Sequence, residues 1–272
     1  MSRARKRSST LASRADRHAL YEESVQDPES ELEFVAETFE VVAGRPLEFI
    51  REDFCGTANT ACYWVRSDRG RRAVGVDLDP EVLAWGRAHH VEALTAEERS
   101  RIELIEGNVM TASTPRVDAL LAMNFSYYLF TSRDALRAYF ERAREALVDD
   151  GVLFLDAFGG YDAHRELEER TEYDDFTYVW DQASFDPIQH AMTCQIHFEF
   201  PDGSEIRRAF EYHWRLWTLP EIRELLEEAG YSSVEVYWEG TDEDTGEGNG
   251  VYEPADTGDA DAGWICYLVA KR

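Results

Sequence analysis

Two apolar periods alternate along the first half of this chain. Short apolar runs of strand length, Leu47 to Asp53, Ala73 to Asp77, Arg101 to Glu106, Val117 to Met123 and Val152 to Asp156, are separated by stretches whose apolar positions return every three or four residues. One such stretch precedes the first run (Leu32, Val35, Ala36, Phe39, Val42), and another follows it (Ala61, Trp64, Val65). A third opens on Asp79 as N-cap with Pro80 in the first helical position and runs to about Ala93. A fourth, Leu136, Tyr139, Phe140, Ala143 and Leu147, leads into the fifth run through Asp149-Asp150-Gly151. Strand and helix in strict alternation predict a doubly wound parallel sheet, with ligands at the carboxyl ends of its strands.

The alternation breaks after residue 157. Tyr178 to Trp180, Thr193 to Phe200 and Ile206 to Trp217, the last two joined by Pro201-Asp202-Gly203-Ser204, carry period-two patterning, which predicts inserted antiparallel strands serving as a lid or a dimerising subdomain. Thr218 to Glu221 is a capping box for a helix that Gly230 stops, and Ser233 to Trp238 and Trp264 to Ala270 complete the sheet. Their connection, residues 239–263, is acidic and glycine-rich and reads as a mobile entrance flap; it lacks the ligand spacing of a calcium loop.

The predicted fold class is therefore α/β: a doubly wound, mostly parallel seven-stranded sheet with an inserted antiparallel β lid after strand five. Residues 1–17 form a basic disordered arm, 18–157 and 218–272 the core, and 158–217 the insertion.

Charge narrows the partners. The net charge is −27, and six of the 28 bases lie in the first seventeen residues beside one acid, Asp16. Residues 18–272 keep 22 bases against 54 acids, a balance of −32 that repels polyanions and argues against nucleic acid as the main substrate. No apolar run is long enough for a bilayer and no signal-peptide h-region opens the chain, so a cytoplasmic protein is expected. Cys55, Cys62, Cys194 and Cys266 show no metal or disulfide spacing, and no metal is expected.

The chemistry concentrates between Leu47 and Asp79. Arg51-Glu52-Asp53-Phe54-Cys55-Gly56-Thr57-Ala58 contains one glycine, so the three-glycine dinucleotide fingerprint and the Walker lysine are both missing. An acid on the first strand, a tight turn, and an acid, Asp77, ending the second suit a ligand with an amino acid end and a ribose.

On these residues the chain resembles the class I S-adenosylmethionine-dependent methyltransferases, whose first motif commonly reads Leu-Asp-Leu-Gly-Cys-Gly-Thr-Gly. Phe54 and Ala58 stand where that motif has glycines. The resemblance implies a Rossmann-like sheet with an antiparallel reversed last strand, and S-adenosylmethionine as cofactor. Glu52, with Asp53 able to share its role, would face the methionine amino group; Phe54, Cys55 and Gly56 would form the close approach; Asp77 would accept the ribose hydroxyls beside Leu78. Gly107-Asn108-Val109 is similar to the family's turn beside adenine, and Asn124 ends the fourth strand where the cofactor passes.

In-line methyl transfer depends above all on alignment, and a base is needed only if the acceptor must lose a proton. Catalytic candidates are Tyr127, Tyr128, Asp156 and His213; substrate candidates are Ser126, Tyr161, Trp180 and Trp214. The family's Asn-Pro-Pro-aromatic signature of base methylation lacks both prolines here. The expected acceptor is a small molecule with an attacking N or O, and the exposed strands of the insertion suit a homodimer. The alternatives are a protein or nucleic-acid methyltransferase docked through the basic arm, and a cofactor-binding module without catalysis.

Overall fold

The structure, a computed structural model, describes residues 10–242 and 248–272. In chain order its principal elements are α1 (Arg17–Val25), α2 (Pro28–Ala43), β1 (Phe49–Asp53), α3 (Asn59–Ser67), β2 (Arg72–Asp77), α4 (Pro80–Gly86), α5 (Ala96–Arg99), β3 (Ile102–Glu106), β4 (Val117–Ala122), α6 (Arg133–Ala146) and β5 (Leu147–Gly159). There follow β6 (Leu167–Glu172), β7 (Thr177–Asp186), β8 (Ala191–Glu199), β9 (Glu205–Arg215), α7 (Leu219–Glu228), β10 (Ser233–Thr241), β11 (Gly248–Pro254) and β12 (Trp264–Lys271). They form two compact units, 27–163 with 216–272, and the N-terminal segment to residue 26 with 164–215. Among the described residues no helix is long and apolar enough to cross a membrane.

The larger unit holds an eight-stranded sheet in the order β11-β10-β12-β5-β4-β1-β2-β3. β1 to β5 run parallel, and β12 joins β5 antiparallel, as does β10 with β12. The middle strands are buried on both faces, which is why Val117 and Ala119 to Ala122 read as an apolar run rather than an alternation. α2 starts where Asp27 accepts the Ser30 N–H and Pro28 presets the first turn, and it ends on Gly44 at φ 73°. It buries Leu32, Val35 and Phe39 in the core cluster that also holds Ile50, Trp64 and Phe154.

Three local readings change. The sheet has eight strands, not seven, because β11 pairs antiparallel with β10 inside the segment expected as a mobile flap. Gly248, Asn249 and Gly250 hide this strand from any periodicity; Tyr252 anchors it, packing on Tyr267 at 4.6 Å, while Glu239 accepts the Gly250 N–H at 2.9 Å. Residues 243–247 of the flap lie outside the described residues. The helix expected to run to Ala93 is α-helical only to Gly86, after which Arg87–Val91 widens to a π turn.

The smaller unit is a four-stranded antiparallel sheet, β6-β7-β8-β9. Phe176, Ile196, Phe198 and Ala209 form its core, against which Leu20, Tyr21 and Val25 of α1 pack. Residues 18–26 therefore group with the insertion, where the sequence placed them with the core. Part of the expected disordered arm is ordered as well: the Leu11 and Ala12 N–H groups donate to Asp202 and Ser204 in the β8–β9 turn. Residues 1–9 lie outside the described residues.

Candidate active site

The carboxyl ends of β1 and β2 meet in the turn 54–58. Phe54, Gly56 and Ala58 sit at φ 59°, 52° and 58°, so every second residue is left-handed, including the two non-glycines. Such a conformation costs an L-residue roughly 1 to 2 kcal/mol. Each non-glycine is offset by packing: the Phe54 ring lies 5.7 Å from Tyr139 and 6.3 Å from Phe130, and Ala58 is fully buried. The turn is also clamped by hydrogen bonds, Cys55 N–H to the Val76 carbonyl at 3.1 Å and Ala58 N–H to the Cys55 carbonyl at 2.7 Å. A Cβ on Gly86 would fall 2.1 Å from the Thr57 carbonyl oxygen, so only glycine lets α4 approach this closely. A Cβ on Gly56 would meet nothing within 4 Å; that side of the turn is open.

Asp77 ends β2 and binds both flanks of this opening. Its Oδ2 accepts the Gly56 N–H at 2.8 Å and its Oδ1 the Asp79 N–H at 2.9 Å. Glu52 accepts the Ala61 N–H of α3 at 3.0 Å and a bond from the Thr60 hydroxyl. Burial, then the neighbouring Asp77 and Asp53, raise its pKa to about 8 against those hydrogen bonds. Burial first, and then the same acids, push the Cys55 thiol well up.

The turn after β3 exposes Asn108, whose Oδ1 accepts the Met110 N–H at 2.9 Å, and buries Val109. After β4, Asn124 and Phe125 are left-handed at φ 56° and 55°, held by Asp156, whose two oxygens accept their N–H groups at 2.7 and 2.8 Å. Burial raises Asp156 to about 7, although these bonds favour its charged form.

No protein-family model and no curated protein matches the sequence. Solved structures do match the fold. A S-adenosylmethionine-dependent methyltransferase from Clostridium acetobutylicum is 15% identical, with 93% of this chain and 96% of that one covered at a TM-score of 0.67. CalS10, an amino pentose methyltransferase from Micromonospora echinaspora, is 16% identical over 94% of this chain and 95% of that one, TM-score 0.65. The sugar N-methyltransferase KedS8 from a Streptoalloteichus species is 15% identical over 100% and 98%, TM-score 0.62. This chain has the class I methyltransferase fold.

Within that methyltransferase fold the sequence-derived candidates separate. Glu52, Cys55, Gly56, Asp77, Asn108, Val109 and Asn124 all lie at carboxyl ends of parallel strands or in the turns leaving them. Asp53 lies on the face of β1 opposite Glu52, where it is buried against Arg51 Nε at 2.7 Å and accepts the Tyr139 hydroxyl at 3.1 Å. Phe54 contributes backbone to the turn while its ring packs on Tyr139. Leu78 is exposed beside Asp77, and Tyr161 is exposed beyond β5. Ser126 donates its hydroxyl to the Met123 carbonyl at 2.9 Å.

Tyr127 and Tyr128 are fully buried and donate to the carbonyls of Asp156 and Phe158, at 2.8 and 3.4 Å. Burial drives both hydroxyls well above their usual range, which keeps them protonated. Both oxygens of Asp156 are engaged by the backbone N–H groups of the turn after β4.

Trp180, Trp214 and His213 belong to the antiparallel unit. Trp180 and Trp214 pack with Tyr212, the last two rings stacked at 4.5 Å, so their aromatic density serves the packing of that sheet. His213 is exposed between Glu211 at 3.3 Å and the Thr193 hydroxyl at 3.4 Å.

Sequence reasoning missed Glu31, near the start of α2. Its pKa is raised to about 8, first by burial and then by Asp156, Glu52 and Asp27, which places its charge within reach of the ends of β5 and β1. Phe34, one turn on, stacks at 4.4 Å on Tyr267, the strand partner of Asp156. Within the sequence Glu31 is one acid among many on an amphipathic helix, and nothing local marks it.

Proposed function

We propose that this protein is a S-adenosylmethionine-dependent methyltransferase whose acceptor is the nitrogen of a small amine. The observation that carries the cofactor reading is the open Gly56 turn, flanked by Asp77 on the turn's own N–H and by Glu52, whose carboxyl is raised by burial and by its acidic neighbours. A carboxyl raised by burial among acids is relieved by an ammonium, and Glu52 would hold the cofactor's amino group. The remaining lone pairs of Asp77 would take the ribose hydroxyls. The Asn108–Val109 turn would flank the adenine. When bound, the cofactor supplies an electrophilic sulfonium methyl.

The amine reading rests on Glu31 and Asp156. Both carboxyls lie at the β5 end of the site and the charges acting on Glu31 are all acidic, so a cationic acceptor would be drawn in and oriented there. An ammonium must shed a proton before its nitrogen can attack, and Glu31, raised to about 8, is matched to take it near neutral pH. CalS10 is an amino pentose methyltransferase and KedS8 a sugar N-methyltransferase, which agrees with an amine acceptor. The acidic surface disfavours nucleic acid.

Calorimetry with S-adenosylhomocysteine, followed by transfer of labelled methyl to matched panels of amines and phenols, tests both parts. Micromolar binding and transfer confined to amines are expected. Absence of binding would refute the cofactor reading, and transfer to phenols alone the acceptor reading.

A further inference from the structure

We infer that the buried Arg51–Asp53 pair positions the turn that receives the adenine, acting from the face of β1 opposite Glu52. The inference rests on the cofactor reading above and extends it to residues that touch no ligand.

Side chains alternate along β1, so Glu52 faces the site while Arg51 and Asp53 point away from it together. Arg51 is 3% and Asp53 2% exposed. In the first motif of the methyltransferases that the chain resembles, both places are leucine. An ion pair in place of two apolar side chains is weak as a stabilising device, because desolvating both charges costs about as much as their attraction returns. Geometry is what it supplies.

Every nitrogen of the guanidinium is engaged. Nε donates to Asp53 Oδ1 at 2.7 Å, Nη1 to the Thr114 hydroxyl at 3.2 Å and Nη2 to the Val109 carbonyl at 3.2 Å. The Tyr139 hydroxyl of α6 donates to Asp53 Oδ2 at 3.1 Å and fixes the carboxylate in turn. The far ends of this fork bracket residues 109–114, the segment that follows β3. That segment is otherwise held from its Asn108 end, where the Asn108 carbonyl accepts the Thr111 and Ala112 N–H groups at 2.9 and 2.8 Å, and from α6, where Arg142 Nε donates to the Met110 carbonyl at 3.1 Å. With the Val109 carbonyl drawn inward, its side chain is buried and Asn108 is left at the surface. A planar fork can reach three acceptors at fixed angles; a lysine ammonium on a flexible stem cannot.

The test compares two ligands on the full chain by calorimetry. S-adenosylhomocysteine carries adenosine and an amino acid end, whereas 5′-methylthioadenosine carries adenosine alone. The double variant Arg51→Leu with Asp53→Leu restores the apolar pair. It should fold with a lowered unfolding temperature, because the Tyr139 hydroxyl and the Val109 carbonyl lose their partners, and lose about tenfold in affinity for both ligands, by the same factor. Glu52→Gln should weaken S-adenosylhomocysteine alone. Should the double variant fail to fold, Arg51→Lys keeps a charge beside Asp53 and should show the same equal loss, about threefold. Unchanged affinity for both ligands in whichever variant folds overturns the inference and leaves the cofactor reading standing. A wild-type protein that binds neither ligand overturns both.

Discussion

The backbone N–H of Gly56 donates to Asp77 Oδ2 at 2.8 Å, tying the turn after β1 to the acid that ends β2. One carboxylate thereby shapes the cradle and faces its proposed ligand. Asp77→Ala removes both contributions. It should weaken S-adenosylhomocysteine binding by about 2 to 3 kcal/mol, roughly 30- to 150-fold in Kd, and calorimetry giving wild-type affinity would remove Asp77 from the site.

The left-handed turn makes an unusual prediction about alanines. At φ 58°, Ala58→Gly relieves roughly 1 to 2 kcal/mol of backbone strain and loses about 1 kcal/mol with the buried methyl and about 0.5 to 1 kcal/mol to unfolded-state entropy, so that the net change stays within about 1 kcal/mol. Ala61→Gly, equally buried but inside α3, has no strain to relieve and should cost about 1.5 to 2 kcal/mol. Urea unfolding should rank Ala58→Gly clearly the more stable of the two.

Stability of the ligand-free protein should fall as pH rises from about 5 to about 8. Glu31 and Glu52 are raised to about 8 and Asp156 to about 7, against about 4 for ordinary carboxyls in the unfolded chain. Between those limits the folded state binds more protons than the unfolded one. Each such group therefore gives its full stability below the unfolded value and loses it through the folded one, at up to about 1.4 kcal/mol per pH unit for each proton. Glu31→Gln should flatten the slope. A urea midpoint independent of pH across this window would contradict the burial of these acids.

Asp156 and Tyr127 separate positioning from chemistry. Asp156→Asn turns an amide N–H toward the half-buried Asn124 or Phe125 N–H and should destabilise by about 1 to 3 kcal/mol. Tyr127→Phe removes one buried bond to a backbone carbonyl and should cost about 1 kcal/mol in urea unfolding, with methyl transfer within twofold of the wild type. A hundredfold loss of rate would restore Tyr127 as a catalytic residue.

The sequence by itself determined the strand-helix alternation, the antiparallel insertion, and Glu52 and Asp77 at the ends of adjacent strands. These follow from periods of 2 and 3.6 residues and from caps and turns, all set within a few residues of chain. What depends on atoms distant in sequence was decided by the tertiary structure. Phe54 and Ala58 occupy glycine conformations because Tyr139 and the core hold them there. Asp53 and Glu52 are adjacent carboxyls whose roles diverge because one meets Arg51 and the other meets α3. β11 exists because Tyr252 finds Tyr267, and Glu31 matters because α2 brings it to Asp156. Local geometry sets which face a side chain takes, but its charge state and its partner are set by whatever the fold packs against that face.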